Sequence, residues 1–338
     1  MLDTIGVQYP TPISKDDLIS WRHEEIPTAK GSISNYRLVV KGFNATELTF
    51  RYRPYSYNRL PLTQIEFSLP HLVFGDNVRM IYDIQSAIDN ANRMLPIVPG
   101  MQKLDLWQGT LFRLYVCYNH DVGNLVPFYI KALRPLEFTR RKTRPYASQG
   151  VQYGNKQVSL KMYDKERWYI DMKLPANPDA HGILRQETTY RRVALKKLTG
   201  MTNPTMHDIT LEILVDVLEN ELQCLGLLNR SIGSYDTTLA KLCKTYGTDV
   251  GFCYFGALAA GVEYPNRETI VTISGIHPRS LERRLKKVLA TGLPLTMTKT
   301  NEPLPPLTID RKKIIENAME GACVMKYQVI LNTPIKST

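Results

Sequence analysis

Tyr163 and Lys165 are the residues of this sequence whose types and spacing suggest covalent chemistry. A phenol is a poor nucleophile until its proton is removed or a cation stabilises the phenolate. An ammonium group two residues away can stabilise the phenolate, and it can also protonate a leaving group. The same spacing is also typical of an edge strand that carries one aromatic residue and several surface lysines, and by itself it favours that simpler interpretation.

The element that must position these two residues is a predicted strand over 156–166. Val158, Leu160 and Met162 alternate with polar residues, which is the period of a strand. This alternation places Tyr163 on the polar face. If the strand continues for two more residues, Lys165 falls on the same face as Tyr163.

Two glutamates occupy the polar faces of other predicted strands. Glu66 lies in an alternating segment over 63–69, and Glu187 lies in a segment over 182–191. If these strands share a sheet with Tyr163, the two carboxylates could hold Mg²⁺ or Mn²⁺, which prefer oxygen ligands, and the ion could polarise a phosphodiester. Taken singly, each glutamate is better explained as a solvated strand residue paired with a neighbouring lysine or arginine.

The composition indicates a folded protein with a basic surface. The 338 residues are 43% hydrophobic and 22% charged, which argues against a disordered chain and suffices for two domains, or for one large domain with an appendage. Lysine and arginine number 43 against 32 acidic residues, a formal net charge of +11. This surplus favours a polyanionic partner, with nucleic acid ahead of a membrane surface, although some soluble basic proteins share it.

Several functional classes have signatures that this sequence lacks. It contains no Walker loop, G-x-G-x-x-G or G-x-S-x-G, which argues against nucleotide-dependent motors, dehydrogenases and serine hydrolases. The five cysteines are scattered without a C-x-x-C pair, so neither a zinc ribbon nor a disulfide framework is predicted and a reducing cytoplasm fits best. No apolar run has membrane-spanning length, and no signal-peptide pattern is present.

The order of predicted elements indicates an α+β fold. Strands dominate to about residue 205, including a hairpin over 36–52 that turns near Gly42–Asn44. Helical spacing dominates afterwards, over 208–222, 234–246, 251–260 and 278–290. We therefore predict a β-rich first domain, 1–205, and a helical second domain, 206–338.

Three basic segments are candidates for a DNA path, because phosphate neutralisation drives affinity for DNA. They are a predicted proline-bounded loop over 131–144, the segment 185–197, and the amphipathic helix over 278–290. A solvated charged face is the common alternative. For the last segment we favour DNA, since it follows the helix over 251–260 in an arrangement similar to a helix-turn-helix with a long connector. The predicted DNA-contacting residues are Arg113, Arg140, Arg141, Lys142, Arg185, Arg279, Arg283, Arg284 and Lys287.

The order of short motifs resembles the replication initiator family of filamentous phages and related plasmids, typified by the phage gene II protein. The matching segments keep the family's order from the first residue to about residue 295, and this shared order is a stronger signal than any single motif. They are Met1-Leu2-Asp3, Ile65-Glu66-Phe67-Ser68 with Phe74-Gly75-Asp76-Asn77, Leu160-Lys161-Met162-Tyr163-Asp164-Lys165, Leu184-Arg185-Gln186-Glu187 with Leu195-Lys196-Lys197-Leu198, and Tyr254-Phe255-Gly256 through Pro278-Arg279-Ser280 to Gly292-Leu293-Pro294.

The resemblance implies a fold and an activity. The fold would be an antiparallel-sheet nuclease domain of the HUH-like replication-initiator type, followed by a mostly helical DNA-binding region. Members of the family nick one strand of double-stranded phage or plasmid DNA at the origin through a tyrosine that becomes joined to the 5′ phosphate. The free 3′ hydroxyl primes rolling-circle synthesis, and the protein later rejoins the displaced strand. The family's nucleophile falls on Tyr163 and its lysine on Lys165, while Glu66 and Glu187 match positions suited to a metal.

The sequence departs from the family pattern at two positions. Tyr115 stands where the family strand has an acid, so His120 or Asp121 would have to complete the metal site, although a histidine at such a place is more often a surface or loop residue. Asp76 replaces a histidine and could supply an oxygen ligand. The loss of the acid at Tyr115 leaves a rival open, which is a non-catalytic origin or operator binder that acts as a repressor or copy-number regulator.

The expected partners follow from the implied activity. They are double-stranded origin DNA, the displaced single-stranded DNA, and a host helicase and polymerase, in the cytoplasm of a bacterial host and without a membrane. An RNA-binding protein is a third and weaker alternative, because no aromatic-rich RNA-binding strand is evident.

Overall fold

The computed structural model describes residues 1–28, 31–41, 47–54, 60–264 and 267–325, and over these residues the fold is mixed α+β with a large antiparallel sheet. The strands in this part of the chain are β1 (Leu2–Tyr9), β2 (Arg22–Thr28), β3 (Gly31–Lys41), β4 (Glu47–Arg53), β5 (Leu62–Ser68), β6 (Thr110–Asp121), β7 (Lys142–Tyr146), β8 (Gly150–Gly154), β9 (Val158–Asp164) and β10 (Ile183–Arg191). The helices are α1 (Leu69–Phe74), α2 (Ile84–Asn92), α3 (Val126–Leu133), α4 (Lys165–Asp171), α5 (Arg192–Thr199), α6 (Leu211–Cys224), α7 (Tyr235–Tyr246), α8 (Thr248–Glu263), α9 (Arg267–Ser274), α10 (Pro278–Ala290) and α11 (Arg311–Met325).

The chain forms two compact units, each assembled from separated segments. The first unit contains Met1–Cys117, Thr189–Val215 and Asp310–Thr338, and the second contains Tyr118–Thr188 and Asp216–Ile309. This division differs from the boundary predicted at residue 205. The physical reason is that β6, β10 and α6 each begin in one unit and end in the other, so a change from strands to helices along the sequence does not mark a packing boundary.

The first unit is built on five strands in the order β2-β3-β4-β5-β1, followed by the first part of β6, with antiparallel pairing throughout. The alternation predicted for β5 is confirmed, because Thr63, Ile65 and Phe67 are buried while the residues between them are half-buried. The predicted hairpin corresponds to β3 and β4. Its predicted turn, Gly42–Asn44, lies outside the described residues.

The second unit places β10, β9, β8 and β7 side by side in that order. Helix α3 packs on β8 and β9, on the face that carries Tyr153 and Leu160, and the Tyr153 hydroxyl donates a hydrogen bond to the Leu133 carbonyl oxygen. The 131–144 segment, predicted as a loop, instead contains the end of α3 and the start of strand β7. Strand β7 extends beyond this segment, and its Pro145 is accommodated because β7 is the last strand in the order.

Helices α7, α8, α9 and α10 of the second unit pack on one another through apolar clusters. Helix α8 contacts α7 and α10 through a cluster that includes Leu242, Leu258 and Val288. The predicted helices over 234–246 and 278–290 are confirmed as α7 and α10. The helix-turn-helix comparison is weakened, because a further helix, α9, lies between α8 and α10. No helix in the described ranges is both long and apolar enough to cross a membrane.

Candidate active site

Strand β9 places Ser159, Lys161 and Tyr163 on one face, and Glu187 of β10 lies against the last two of these residues. The Tyr163 hydroxyl donates a hydrogen bond of 3.1 Å to Oε2 of Glu187. The Lys161 Nζ donates to Oε1 of the same carboxylate at 2.8 Å. Both oxygens of Glu187 are therefore engaged, one by a phenol and the other by an ammonium group.

This arrangement is suited to removing a proton from a phenol. A carboxylate 3.1 Å from the hydroxyl is within the reach required of a general base, and the charge-assisted bond from Lys161 holds that carboxylate in place. Tyr163 is 2% exposed and Glu187 is 7% exposed. Electrostatic interactions in such a water-poor environment are stronger than at the surface.

A glycine on the next strand lets a second tyrosine reach this cluster. Gly150 of β8 lies opposite Tyr163, and Tyr146 of β7 lies opposite Gly150. A Cβ at Gly150 would lie 2.5 Å from the Met162 carbonyl oxygen and 2.6 Å from the Tyr163 Cβ, so the position has no room for a side chain. The rings of Tyr146 and Tyr163 are 5.3 Å apart, and the Lys161 Nζ lies 4.8 Å from the Tyr146 ring.

The prediction that Lys165 shares the strand face of Tyr163 is wrong. Strand β9 ends at Asp164, whose Oδ1 accepts a hydrogen bond from the Arg167 backbone N–H and caps α4, so Lys165 is the first residue of a helix. Its side chain is fully buried, and its Nζ lies 4.2 Å from the Trp168 ring centroid and 5.8 Å from that of Tyr163. Lys161, not Lys165, is the lysine bonded to the carboxylate that faces the Tyr163 hydroxyl.

Glu66 belongs to the first unit, where its carboxylate forms ion pairs with two arginines. Arg113 Nη1 lies 2.5 Å from Oε1, and Arg51 Nη1 lies 3.9 Å from Oε2. Gly6 of β1 stands between Glu66 and Arg113 in the strand register, and a Cβ there would lie 2.7 Å from the Phe112 ring and 3.0 Å from the Arg113 Cβ, so the position has no room for a side chain. The simpler interpretation of Glu66, a strand glutamate paired with arginine, is therefore the one that fits this structure.

The two residues that depart from the family pattern also have local partners. The Arg113 guanidinium lies 5.8 Å from the centroid of the Tyr115 ring, next to its ion pair with Glu66. Asp76 forms an ion pair of 2.7 Å with Arg79 and accepts hydrogen bonds from the backbone at residues 78 and 79. Burial opposes ionisation of Asp76, but these hydrogen bonds hold the pKa of its carboxyl below the usual value.

His120 has a structural role in the second unit. Its Nε2 lies 3.0 Å from the Gln186 Oε1, and the Gln186 amide group in turn donates to the Leu218 carbonyl oxygen at 2.9 Å. That second bond orients the Gln186 amide, so the His120 Nε2 is the donor in the first bond. Burial lowers the pKa of His120 to about 4, because charging the ring inside the protein is costly. Asp121, the last residue of β6, is exposed.

The residues predicted as metal ligands do not form a group that could coordinate one ion. Within the described ranges, no group of three or more histidine, cysteine, aspartate and glutamate side chains is placed to hold an ion. Glu187 and Glu66 are each paired with basic groups, and His120 donates to an amide. The donor set lacks the several unpaired oxygen atoms that Mg²⁺ or Mn²⁺ would require.

Of the residues predicted to contact DNA, Arg185 lies in the interior and the half-buried Arg141 is held by a partner within the protein. Arg185 is fully buried and donates to the Asn119 Oδ1 at 3.1 Å. Arg141 makes two bonds, of 2.5 and 2.9 Å, to the carboxylate of Glu221 and stacks on the Phe138 ring at 3.8 Å. In this structure both guanidinium groups are therefore bonded to groups of the protein itself. Arg113 is committed to Glu66 in the same way.

The other predicted DNA-contacting residues remain accessible. On α10 an apolar face, including Leu281 and Val288, packs on the neighbouring helices, which leaves the basic face outward. The accessible residues are Arg140, Lys142, Arg279, Arg283 and Lys287, with Arg284 half-buried.

The cluster also contains Lys161, Arg144 and Tyr146, which were not predicted to be functional, beside Lys142, which was predicted only as a DNA contact. Lys142, Arg144 and Tyr146 alternate along β7 on the face shared with Tyr163, and Lys161 lies two residues before Tyr163. Strand periodicity in 142–146 was the signal that could have identified Arg144 and Tyr146, but the proline in this segment favoured a loop. Comparison of the sequence with protein-family models and with curated proteins found no match.

Proposed function

We propose that this protein is a rolling-circle replication initiator that nicks one DNA strand at an origin through a covalent 5′-phosphotyrosine at Tyr163 and later rejoins the displaced strand. The observation that supports the proposal is the hydrogen bond from the Tyr163 hydroxyl to Glu187, whose other oxygen is bonded to Lys161. The order of motifs that resembles the phage initiator family places the nucleophile at this same tyrosine.

The proposed reaction is a transesterification. Glu187 accepts the phenolic proton as the Tyr163 oxygen attacks the scissile phosphorus, and the bond from phosphorus to the deoxyribose 3′ oxygen breaks. The leaving 3′ oxygen takes a proton from the protonated Glu187 or from water. The 5′ phosphate is then joined to Tyr163 as a diester, so no bond energy is lost to hydrolysis, and attack by a 3′ hydroxyl reverses the steps and rejoins the strand.

Basic side chains near the tyrosine would stabilise the charge that develops on the phosphate. Lys161 is 2.8 Å from Glu187 and close to the Tyr146 ring, and Lys142 and Arg144 extend the same face of the sheet to the exposed strand β7. Groups of this kind bind phosphate through charge-assisted hydrogen bonds. They give a phosphodiester a path from the surface to the Tyr163 hydroxyl.

Access to the tyrosine requires a conformational change. Tyr163 is 2% exposed, and the Tyr146 ring is one of the groups that cover it. Strand β7 is the last strand in the order and its side chains are exposed or half-buried, so its displacement disturbs few buried contacts. We expect single-stranded or unwound DNA to be the form that reaches the site.

The dependence on Mg²⁺ or Mn²⁺ stays a prediction. Because the predicted ligands do not fit one site, no step of the proposed reaction is assigned to a metal. Nicking assays with each ion and with EDTA will decide whether one is needed.

The test is nicking of supercoiled DNA that carries the replicon's own origin. Tyr163→Phe should abolish both nicking and the covalent protein–DNA band on a denaturing gel, while origin binding in a gel shift stays within about twofold, because only one oxygen is removed. Tyr254→Phe, a half-buried tyrosine of α8, is the matched control and should retain activity. Undiminished nicking by Tyr163→Phe refutes the assignment of the nucleophile.

The second candidate is a non-catalytic DNA-binding regulator of the same fold. The near-complete burial of Tyr163 and the outward basic face of α10 favour it. Protein that shifts origin DNA in EDTA and forms no covalent band with any single-stranded or supercoiled origin substrate would support this candidate over the enzyme.

A further inference from the structure

A second possible binding site lies beside the end of β9, on the helix-covered face of the sheet in the second unit. It is a cavity of about 780 Å³, within the range of about 300–1,000 Å³ typical of small-ligand sites. Helix α3 forms one wall and the end of α8 another, and the lining also includes Gln149, in the turn before β8, and Asp164, the last residue of β9. These two residues directly adjoin Gly150 and Tyr163 in the sequence, so the cavity lies at the end of the strand that carries Tyr163, on the opposite face of the sheet from the Tyr163 side chain.

The cavity contains a buried hydrogen-bond acceptor without a donor. Gln149 is 4% exposed, and its amide oxygen has no hydrogen-bond partner among the described residues. A buried carbonyl oxygen without a donor destabilises a folded protein, so such groups usually have a partner. Gln149 therefore indicates a ligand that brings an N–H or O–H group into the cavity.

The charged groups around the cavity favour an anionic ligand. Lys131 and Arg134 of the α3 region line it, together with Glu263. The ion pair with Lys299 and, to a lesser extent, the charge of Lys131 lower the pKa of the Glu263 carboxyl, so Lys131 lies near that carboxylate. The acidic groups nearby are already engaged: Glu263 pairs with Lys299 at 2.6 Å, and Asp164 accepts the backbone N–H that caps α4. Arg134 is therefore the main cation for a phosphate, with Lys131 beside it.

An aromatic side chain and a second cavity extend the site. Tyr264, at the end of α8, is 37% exposed and lines the first cavity. A neighbouring cavity of about 490 Å³ in the same unit shares Arg134 and Tyr264 with it. A flat ring next to cations is the combination that binds bases and phosphates of single-stranded nucleic acid.

We propose that this cavity holds one nucleotide of single-stranded DNA next to the strand that carries Tyr163. A base N–H donates to the Gln149 amide oxygen, the base stacks on Tyr264, and the phosphate pairs with Lys131 and Arg134. The identity of the ligand as DNA rests on the proposed function, whereas the donor and charge requirements rest on the cavity itself. Gln149 is then a specificity-determining residue, because a base without a donor at that edge leaves its oxygen unpaired.

The experiment measures binding without chemistry, on a Tyr163→Phe background. A labelled single strand of about 12 nucleotides is titrated by fluorescence anisotropy, with deoxyadenosine monophosphate as a competitor. Gln149→Met should weaken binding about tenfold, the effect of one buried hydrogen bond, without lowering the melting temperature, since an unpaired polar oxygen is replaced by an apolar group. Gln102→Met, an exposed glutamine of the first unit, is the matched control.

A second variant tests the phosphate contact independently of the fold of the interior. Arg134→Ala should weaken binding several-fold and reduce the salt dependence by about 0.7 in log–log slope, as expected for one lost phosphate contact on a single strand. Arg93→Ala is its exposed control. The proposal is overturned if Gln149→Met and Arg134→Ala both bind the strand within twofold of the parent. It is also overturned if deoxyadenosine monophosphate displaces the strand at equal concentration, because the ligand would then be a free nucleotide and not a DNA strand. These binding measurements do not depend on nicking. If the protein proves unable to nick DNA, the proposed function fails while the binding proposal can still be tested.

Discussion

The burial of His120 and its hydrogen bond to Gln186 give a quantitative prediction about stability and pH. Burial holds the pKa of His120 at about 4 in the folded protein, whereas an unfolded histidine titrates near its ordinary value of 6.5. Between these two values the unfolded chain binds more protons than the folded one. The free energy of unfolding therefore falls as the pH is lowered through this window.

The magnitude follows from the size of the shift. The His120 contribution is fully present above about pH 7 and falls by about 2 kcal/mol by about pH 5, with a total loss of about 3 kcal/mol below pH 4. His120→Gln removes this titration. The difference in the free energy of unfolding between the parent and the variant should therefore be about 2 kcal/mol smaller at about pH 5 than at about pH 7.5.

The assay is urea unfolding of both proteins at the two pH values. Leu242→Ala is the control, because it removes buried apolar atoms that do not titrate, and its cost of about 2–5 kcal/mol should not depend on pH. A His120→Gln difference that is equal at both pH values refutes the burial argument. A rise in the stability of the parent, but not of the variant, on addition of Mn²⁺ would instead identify His120 as a ligand.

Three further predictions concern other parts of the molecule. Arg141→Ala should lower the free energy of unfolding by about 3–5 kcal/mol, because it removes the ion pair that compensates the buried charge of Glu221, and Arg140→Ala, an exposed neighbour, should have little effect in the same urea assay. Gly150→Ala should reduce nicking by at least about tenfold while DNA binding persists, since a methyl group there displaces Tyr163; activity equal to that of Gly154→Ala, where the added Cβ meets no atom closer than 3.4 Å, would contradict the reasoning. Arg283→Ala on α10 should weaken binding to duplex DNA and reduce the salt slope by about 0.9, and a slope unchanged from that of the parent would show that this face is merely solvated.

Local patterns in the sequence were sufficient for much of the secondary structure. Strict alternation identified β5 and β9, and helical spacing with a proline near the start and Gly292 just beyond the end identified α10. These signals are reliable because they depend on which face of one element is buried. The same signals did not predict β7, since a proline is acceptable only where a strand has no further neighbour, which depends on the order of strands in the sheet.

The partners of the charged residues were decided by the tertiary structure. The sequence alone placed Tyr163, Lys161 and Glu187 on polar strand faces, because side-chain direction follows from strand period. It did not show that Lys161 binds Glu187, that Arg185 is buried, or that Glu66 is held by Arg113. Strand order and register bring together residues that are distant in sequence, and an ion pair or hydrogen bond forms only where that register places the two groups within reach. The sequence therefore determined which residues were available for chemistry, and the packing of the sheet decided which of them meet.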